Sequence, residues 1–448
     1  MAQAVAGTRN RELSLLILGL IVGGAALALV ALAREDGQAA VAAPFITILA
    51  VSYIAAHLVI RRFAPRANPL ILPLAGVVNA LGVTAIFRLS DYERYKDTAT
   101  AQLTWTLVGI ACFIGTLLLV RDAQSLARFK YIFGFAGVGL MLLPLMPGIG
   151  REINGAQLWV DMGPINFQPG ELAKIALVIF FAGYLAERKE LLSIASRRVL
   201  GMHVPDIKHF GPLLVMWGLS LAVMFYLKDL GSSLLFFSIF LVMLYIATAR
   251  LIYVAVGGGL FAIGAYIGYQ TFTHVQARVQ VWMDVFNPKF VNDEGFQLAQ
   301  SLFALSSGGL FGTGLGQGRP DLIPAAHTDF VFAVLGQELG LMGAGAIVLC
   351  FLLMMGQGFR IAITHRDDFG QLLAAGLTTI LGVQTFIILG GVTRLLPLTG
   401  ITLPFVSYGG SSLLSNFILI ALLVRLSDQT ASHKPPAHTA EILIGGRR

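Results

Sequence analysis

One long hydrophilic segment, from Thr271 to Asp329, interrupts a sequence otherwise made of apolar runs. It ends in Pro324-Ala-Ala-His327-Thr-Asp329-Phe330, so that a carboxylate directly precedes the next apolar run, where water would meet lipid. A reaction on a substrate anchored in the membrane needs a polar group at this boundary. The segment is therefore the expected place of such a reaction.

Other polar residues of this segment could hold a phosphate or a sugar. They are Arg278, Gln297 and Arg319, together with the glycine-rich run 307–316. Glycines allow unusual backbone angles and a close approach to a ligand, but small residues also let a re-entrant segment pack closely. Packing is the commoner of these two roles, so the glycine run alone does not establish a ligand site. His327 is likewise more often a structural hydrogen-bonding residue than a base.

Charged residues also occur within or beside the apolar runs, where charge is costly and usually faces the protein interior. Glu171 and Lys174 stand three residues apart, which predicts an ion pair on one face of a helix. The pair fits a structural clasp and the lining of a cavity equally well. Lys228 and Asp229 offer a similar choice. Glu338 lies deeper in an apolar run and needs a partner.

The composition indicates which elements position these residues. Hydrophobic residues make up 56% of the chain, charged residues 12%, and the mean hydropathy is +0.78, which predicts an all-α, polytopic membrane protein. Runs long enough to cross a bilayer centre on 13–33, 42–60, 69–87, 103–120, 131–146, 167–186, 210–227, 232–248, 252–269, 330–355, 370–392 and 405–426. About twelve transmembrane helices are therefore expected, although the runs at 131–146 and 232–248 are short enough to leave ten or eleven open.

The distribution of basic residues predicts the orientation of these helices. With the N terminus in the cytoplasm, 20 of the 31 Lys and Arg residues lie inside and 10 outside, with Lys174 in a span. This bias predicts that both termini are cytoplasmic and that 271–329 is extracytoplasmic. The net charge of +7 reflects this topology and attraction to anionic headgroups, so nucleic acid is not an expected partner. Cys112 and Cys350 fall within apolar runs, without the spacing of a metal site or a disulfide.

Four motifs, in a fixed order, resemble those of one family. They are Gln168-Pro-Gly-Glu171-Leu-Ala-Lys174, the run 297–316, His327-Thr-Asp329-Phe330, and Pro397-Leu-Thr-Gly-Ile-Thr-Leu-Pro-Phe-Val-Ser407-Tyr-Gly-Gly-Ser-Ser412. The chain resembles the SEDS proteins, the RodA/FtsW/SpoVE group of bacterial peptidoglycan glycosyltransferases, and is most similar to RodA-type members. The family core of ten helices would occupy 69–426, after a cytoplasmic N terminus and two additional helices in 1–68. Residues 427–448 would form a disordered cytoplasmic tail.

The resemblance implies an enzyme that polymerises lipid II on the outer face of the cytoplasmic membrane during cell-wall elongation. Asp329 would be the general base for the attacking hydroxyl, and undecaprenyl pyrophosphate would be the leaving group. The residues expected to bind the substrate are Lys174, Glu171, Arg278, Gln297, Arg319 and Ser407. A divalent cation such as Mg²⁺ is a candidate cofactor. The implied partner is a class B penicillin-binding protein, a transpeptidase of the elongation machinery.

The sequence departs from the family at a few positions. Leu158 stands before Trp159 where most members have an arginine, and Arg151 is the nearest candidate to replace it. Gly170 replaces a serine of the first motif, while the charged residues of that motif remain.

Two other functions are compatible with a polytopic membrane protein. A flippase would move the lipid-linked precursor without forming bonds, but it gives no reason for an acidic residue at the outer boundary. An O-antigen polymerase or ligase shares the polyprenyl substrate and the outer loop, but it does not predict the Ser407-Tyr-Gly-Gly signature.

Overall fold

The computed structural model describes residues 2–34, 39–153, 156–161, 163, 166–193, 197–199, 202–204, 211–226 and 229–432. The prediction made for Lys228, and that made for the tail beyond Ser432, fall outside these residues. The predicted tail begins too early, because the last helix continues to Ser432.

Helices dominate the described part of the chain. They are α1 (Ala2–Leu32), α2 (Ala43–Phe63), α3 (Ile71–Leu89), α4 (Thr98–Leu119), α5 (Gln124–Arg128), α6 (Lys130–Leu142), α7 (Gly170–Ser193), α8 (Gly211–Tyr226), α9 (Leu230–Thr248), α10 (Leu251–Thr271), α11 (Thr273–Met283), α12 (Phe296–Gly308), α13 (Val331–Thr364), α14 (Asp368–Val392) and α15 (Gly410–Ser432). Two small antiparallel sheets join some of them. One contains β1 (Gly150–Ile153), β2 (Ala156–Asp161) and β3 (Asn166–Phe167), and the other β4 (Arg197–Val199) and β5 (Met202–Val204).

The predicted polytopic helical membrane fold is confirmed. Within the described ranges, nine helical segments are long and apolar enough to span a bilayer. The other three predicted runs are also helical, but α6 with its 3₁₀ extension to Leu145 is short, α7 carries buried charge, and α8 has 16 residues. The count of twelve therefore remains a prediction. Helices α3, α14 and α15 are largely buried, whereas α10 is largely exposed.

The two N-terminal helices pack on the core through small residues and a buried polar cluster. Gly19 and Gly23 of α1 approach α3 so closely that an added Cβ would lie 2.6 Å from Val77 and 2.4 Å from Ala80. Glu12 pairs with both Arg9 and His57, and all three are at most 1% exposed. Arg9 also donates to the carbonyl of Ala67. The glycines therefore join α1 to α3, and the polar cluster joins α1 to α2 and to the residues just before α3.

The structure gives the elements of two predicted segments. The segment 271–329, predicted to be extracytoplasmic, contains the helices α11 and α12. The last apolar run was expected to be helical from Phe405, but α15 begins at Gly410. Phe405 has φ +65°, and the hydroxyl of Ser407 accepts a hydrogen bond from the backbone N–H of Leu403. Residues 397–409 thus form an irregular segment, of which residues 403–407 are buried.

Candidate active site at the start of helix α13

Asp329 lies two residues before α13 in a tight loop. Ala325 adopts the left-handed region, with φ +50°, and its carbonyl accepts a hydrogen bond from the N–H of Thr328 at 3.1 Å. Phe330, which follows Asp329, is fully buried. The loop therefore holds the carboxylate at the end of a membrane helix, as the sequence predicted.

The irregular segment 397–409 packs against this loop. The Ser407 hydroxyl donates to the carbonyl of Thr328 at 2.6 Å, and the N–H of Tyr408 donates to the carbonyl of His327 at 2.8 Å. Gly400 has φ +78°, and a Cβ at this position would lie 3.9 Å from Oδ2 of Asp329. The glycine thus leaves the Asp329 carboxylate uncrowded.

The electrostatic environment of Asp329 suits a base that works near neutral pH. Burial raises the pKa of Asp329 to about 6, while the charge of Arg278 and a hydrogen bond with Thr328 oppose the rise. A carboxylate with this pKa is mostly ionised at pH 7 and is a stronger proton acceptor than an ordinary aspartate. Burial lowers the pKa of His327 to about 4, with a smaller contribution from Arg94, so the His327 imidazole is neutral where Asp329 titrates.

Arg278 projects from α11 toward the same segment. Its Nη1 atom donates to the carbonyl of Thr399 at 3.3 Å, and its side chain is exposed. Helix α11 is itself fixed by Arg394, which donates to the carbonyls of Trp282 at 2.8 Å and Met283 at 2.6 Å. The Trp282 indole donates back to the carbonyl of Arg394 at 3.2 Å. A cation is therefore held beside the segment that packs against the Asp329 loop.

A cavity of about 480 Å³ opens beside Arg278. Helices α8 to α11 and residues 396–399 form its walls, which are mostly apolar and include Trp217, Phe237 and Phe261. Arg278 supplies its charged group. Pockets of this volume and character bind apolar ligands that carry a few polar groups, so the cavity suits a lipid chain attached to an anionic head.

Glu171 and Lys174 form the predicted ion pair, and its contacts favour the structural alternative. The Lys174 Nζ atom lies 2.8 Å from Glu171 Oε2 and 2.9 Å from Gln384 Oε1 of α14. Ser415 of α15 donates to the same Glu171 oxygen at 2.9 Å. Lys174 is only 4% exposed. The pair therefore joins three helices, and its expected contact with substrate remains a prediction.

Asp229 acts as a helix cap. Its Oδ1 atom accepts a hydrogen bond from the backbone N–H of Ser232 at 2.9 Å, at the start of α9. Burial raises the pKa of Asp229, whereas the hydrogen bonds with Ser232 and the charge of Arg278 lower it. A Cβ at Gly231 would lie 3.0 Å from the carbonyl of Thr399, so this cap packs directly against the segment that contacts Arg278.

The glycine-rich run 307–316 packs within the protein, which is the commoner of the two roles that the sequence allows. Helix α13 breaks at Gly340, which has φ +68°, and the run fills the break. The N–H groups of Thr313 and Gly314 donate to the carbonyls of Gln337 and Glu338 at 2.9 and 3.1 Å. The Glu338 carboxylate accepts from the N–H of Gly316 at 3.0 Å and lies 3.4 Å from Arg88. Arg88 is thus the partner that Glu338 required.

The remaining predicted residues are either exposed at the surface or enclosed in the fold. Gln297 is exposed on the first turn of α12. Arg319 is exposed and forms a two-point ion pair with Asp321, at 3.1 and 3.0 Å. Ser407 is 2% exposed and its hydroxyl is occupied by backbone partners. The expected direct contact of Ser407 with substrate therefore has no support in this arrangement.

Sequence reasoning did not find the contacts made by Thr399, Gly400 and Arg394. Their role depends on backbone carbonyls and on a left-handed glycine, which leave no periodic signal. Arg151 lies 3.3 Å from Asn166 and 3.8 Å from Asp161 within the first sheet, so its proposed replacement of the family arginine stays a prediction. In the described ranges, His, Cys, Asp and Glu form no group of three or more that could hold a metal ion.

Fold and site together define a multi-pass membrane protein in which a carboxylate of raised pKa lies beside an irregular segment that also lines an apolar cavity. The chain matches the FtsW, RodA and SpoVE family, described as cell cycle proteins, over residues 66–432, and it belongs to that family. It is 44% identical over 445 residues to the peptidoglycan glycosyltransferase RodA of Mycobacterium leprae, covering 97% of this chain and 94% of the relative. A probable peptidoglycan glycosyltransferase FtsW of Geobacter sp. is 34% identical over 366 residues, covering 80% and 96%. These relationships confirm the enzyme class, peptidoglycan glycosyltransferase.

Solved structures show the same fold. The crystal structure of the rod shape determining protein RodA of Thermus thermophilus aligns with a TM-score of 0.55 at 24% identity, covering 81% of this chain and 96% of that one. A chain of a peptidoglycan synthase complex, described as coordinating polymerization and crosslinking, aligns with a TM-score of 0.64 at 22% identity. That alignment covers 82% of this chain and 99% of the other.

Proposed function

We propose that this protein polymerises lipid II into glycan strands. The 4-hydroxyl of one disaccharide attacks the anomeric carbon of another, Asp329 accepts the hydroxyl proton, and the bond to undecaprenyl pyrophosphate breaks with the electron pair leaving on the phosphate oxygen. The observation that carries this proposal is the position of Asp329. Its carboxylate, with a pKa of about 6, lies beside Gly400, which leaves it uncrowded.

Arg278 and the cavity supply what the leaving group needs. The pyrophosphate gathers negative charge as the bond breaks, and a cation placed there stabilises the transition state. A guanidinium has five N–H donors, and Arg278 uses one of them on the carbonyl of Thr399. The apolar walls of the adjoining cavity accommodate prenyl carbons. We assign the pyrophosphate to Arg278 rather than to Lys174 or Arg319, because those two are already paired with carboxylates.

A divalent cation has a limited role in this scheme. Mg²⁺ is commonly held by one or two carboxylates together with substrate phosphates, so Asp329 and the pyrophosphate could share one. The described residues offer no dedicated cage, and no step of the proposed reaction passes through a metal.

The cellular setting extends the same proposal. We place the site on the outer face of the cytoplasmic membrane, with both termini in the cytoplasm, because of the bias in basic residues. A role in cell-wall elongation is supported by the greater identity to RodA than to FtsW relatives. The proposed partner is a class B penicillin-binding protein that crosslinks the new strands, and a synthase complex among the structural neighbours is consistent with one.

The decisive experiment is polymerisation by the purified protein in lipid nanodiscs. Labelled lipid II should be converted into long glycan, and the cognate transpeptidase should increase the yield even when its own serine nucleophile is removed. A folded wild-type protein that binds lipid II but yields no glycan, with or without that partner, contradicts the proposal and favours transport of the precursor.

A further inference from the structure

Ser407 occupies the junction between the two segments that form the site. Its hydroxyl donates to the carbonyl of Thr328 at 2.6 Å and accepts from the N–H of Leu403 at 2.9 Å. The carbonyl of Thr328 belongs to the peptide unit that ends at Asp329. The Ser407 hydroxyl thus holds the peptide plane next to the catalytic residue, although its own side chain is 2% exposed and out of reach of a substrate.

A second hydrogen bond fixes the orientation of the Asp329 loop relative to the segment that carries Ser407. The N–H of Tyr408 donates to the carbonyl of His327 at 2.8 Å, so two successive residues of one segment hold two successive carbonyls of the other. A single hydrogen bond would leave the loop free to rotate about it. Two neighbouring bonds fix the loop's orientation as well as its distance.

The segment that carries Ser407 is itself anchored in the helical core. The carbonyl of Ser407 accepts from Gln102 of α4 at 3.3 Å, and the carbonyl of Phe405 accepts from Asn79 of α3 at 3.1 Å. Gly82 of α3 packs so closely that a Cβ there would lie 2.6 Å from the Cα of Val406. The segment that holds the Asp329 loop is therefore itself bound to two helices, α3 and α4.

We propose that Ser407 is a positioning residue for Asp329, and this inference rests on the proposed role of Asp329 as the base. The hydroxyl fixes the 328–329 peptide so that the carboxylate meets the attacking sugar hydroxyl at hydrogen-bond distance. Misplacement of a catalytic group by ~1 Å can cost on the order of 100-fold in rate. In this interpretation, Ser407 and Tyr408 of the family signature position the carboxylate of Asp329.

The test separates turnover from substrate binding. Ser407→Ala removes one oxygen and leaves the carbonyl of Thr328 without this partner. We expect kcat to fall on the order of 10- to 100-fold, with KM for lipid II and its direct binding to nanodisc-held protein within about twofold. Ser301→Ala is the matched control. The Ser301 hydroxyl is also fully buried, and it donates a hydrogen bond at 3.2 Å to a backbone carbonyl of a different segment, that of Val392 at the end of α14. The control should lose a comparable amount of thermal stability and keep kcat.

Three results would overturn the assignment: kcat of Ser407→Ala within twofold of wild type, an equal fall in kcat for Ser301→Ala, or a rise in KM that accounts for the loss. If the alanine variant does not fold, Ser407→Cys replaces the hydroxyl with a weaker S–H donor of similar shape. Wild-type kcat in that variant also contradicts the inference. The proposed function is judged separately, by wild-type polymerisation and by its loss in Asp329→Asn.

Discussion

Arg278 and Thr399 are 121 residues apart in sequence, yet the guanidinium Nη1 of one lies 3.3 Å from the carbonyl oxygen of the other. Thr399 directly precedes Gly400, which lies against the carboxylate of Asp329. The same Arg278 lines the apolar cavity. One contact therefore connects the proposed base, the proposed anion site and the apolar cavity.

Removal of this cation should change both binding and the pH dependence. The charge of Arg278 lowers the pKa of Asp329, which burial has raised. In Arg278→Ala that opposing effect is lost, so the pKa of Asp329 should rise and the midpoint of kcat/KM against pH should move to higher pH than in the wild type. The value of kcat/KM itself should fall on the order of 100-fold, because the leaving pyrophosphate loses a stabilising charge. Lys289→Ala removes an exposed cation from the same segment and should do neither.

Substitutions of Asp329 distinguish an enzyme from a transporter. Asp329→Asn keeps the size of the side chain but cannot accept the proton, so glycan synthesis should fall by a factor on the order of 10²–10⁴. Asp329→Glu displaces the carboxylate by about one methylene. This variant should also be nearly inactive, because a shift of ~1 Å can lower the rate on the order of 100-fold. Lipid II binding should persist in both variants. Near-normal polymerisation by the asparagine variant would remove Asp329 from the reaction and return the flippase to consideration.

The positions that follow from local sequence could be predicted. Asp329 precedes a long apolar run, so its place at the end of a membrane helix follows from hydropathy alone. Spacing of three on a helix likewise predicts the pair of Glu171 and Lys174, now seen at 2.8 Å. In both cases the relevant interaction is set by neighbours along the chain.

The positions that depend on distant backbone groups could not be predicted. Phe405 reads as the start of an apolar helix, but tertiary contacts hold it at φ +65°. Gly340 lies in an apolar run of helical length, and the break there is stabilised by hydrogen bonds with backbone groups of residues 309–314. Ser407 reads as a polar residue available to substrate, whereas its hydroxyl is bound to two backbone groups.

The break in α13 gives a stability prediction. Gly312 has φ +86°, and a Cβ there would lie 2.1 Å from the carbonyl oxygen of Glu338. Gly312→Ala should therefore destabilise the protein by roughly 2 kcal/mol or more, through strain and overpacking. Gly115→Ala, where no atom lies within 4 Å of the added Cβ, should be neutral or slightly stabilising. Thermal unfolding in nanodiscs measures both, and equal melting temperatures would show that the glycine run is not packed around Glu338.

The orientation of the site can be tested by labelling single cysteines in intact cells. With Cys112 and Cys350 replaced, Glu294→Cys should react with a membrane-impermeant maleimide, because Glu294 is exposed in the segment before α12 that is predicted to be extracytoplasmic. Arg366→Cys, exposed in the turn between α13 and α14, should react only after the membrane is permeabilised. The cysteine-free protein controls for background labelling. The reverse pattern would place Asp329 in the cytoplasm, where the lipid-linked precursor has not yet crossed the membrane, and polymerisation on the outer face would then be impossible.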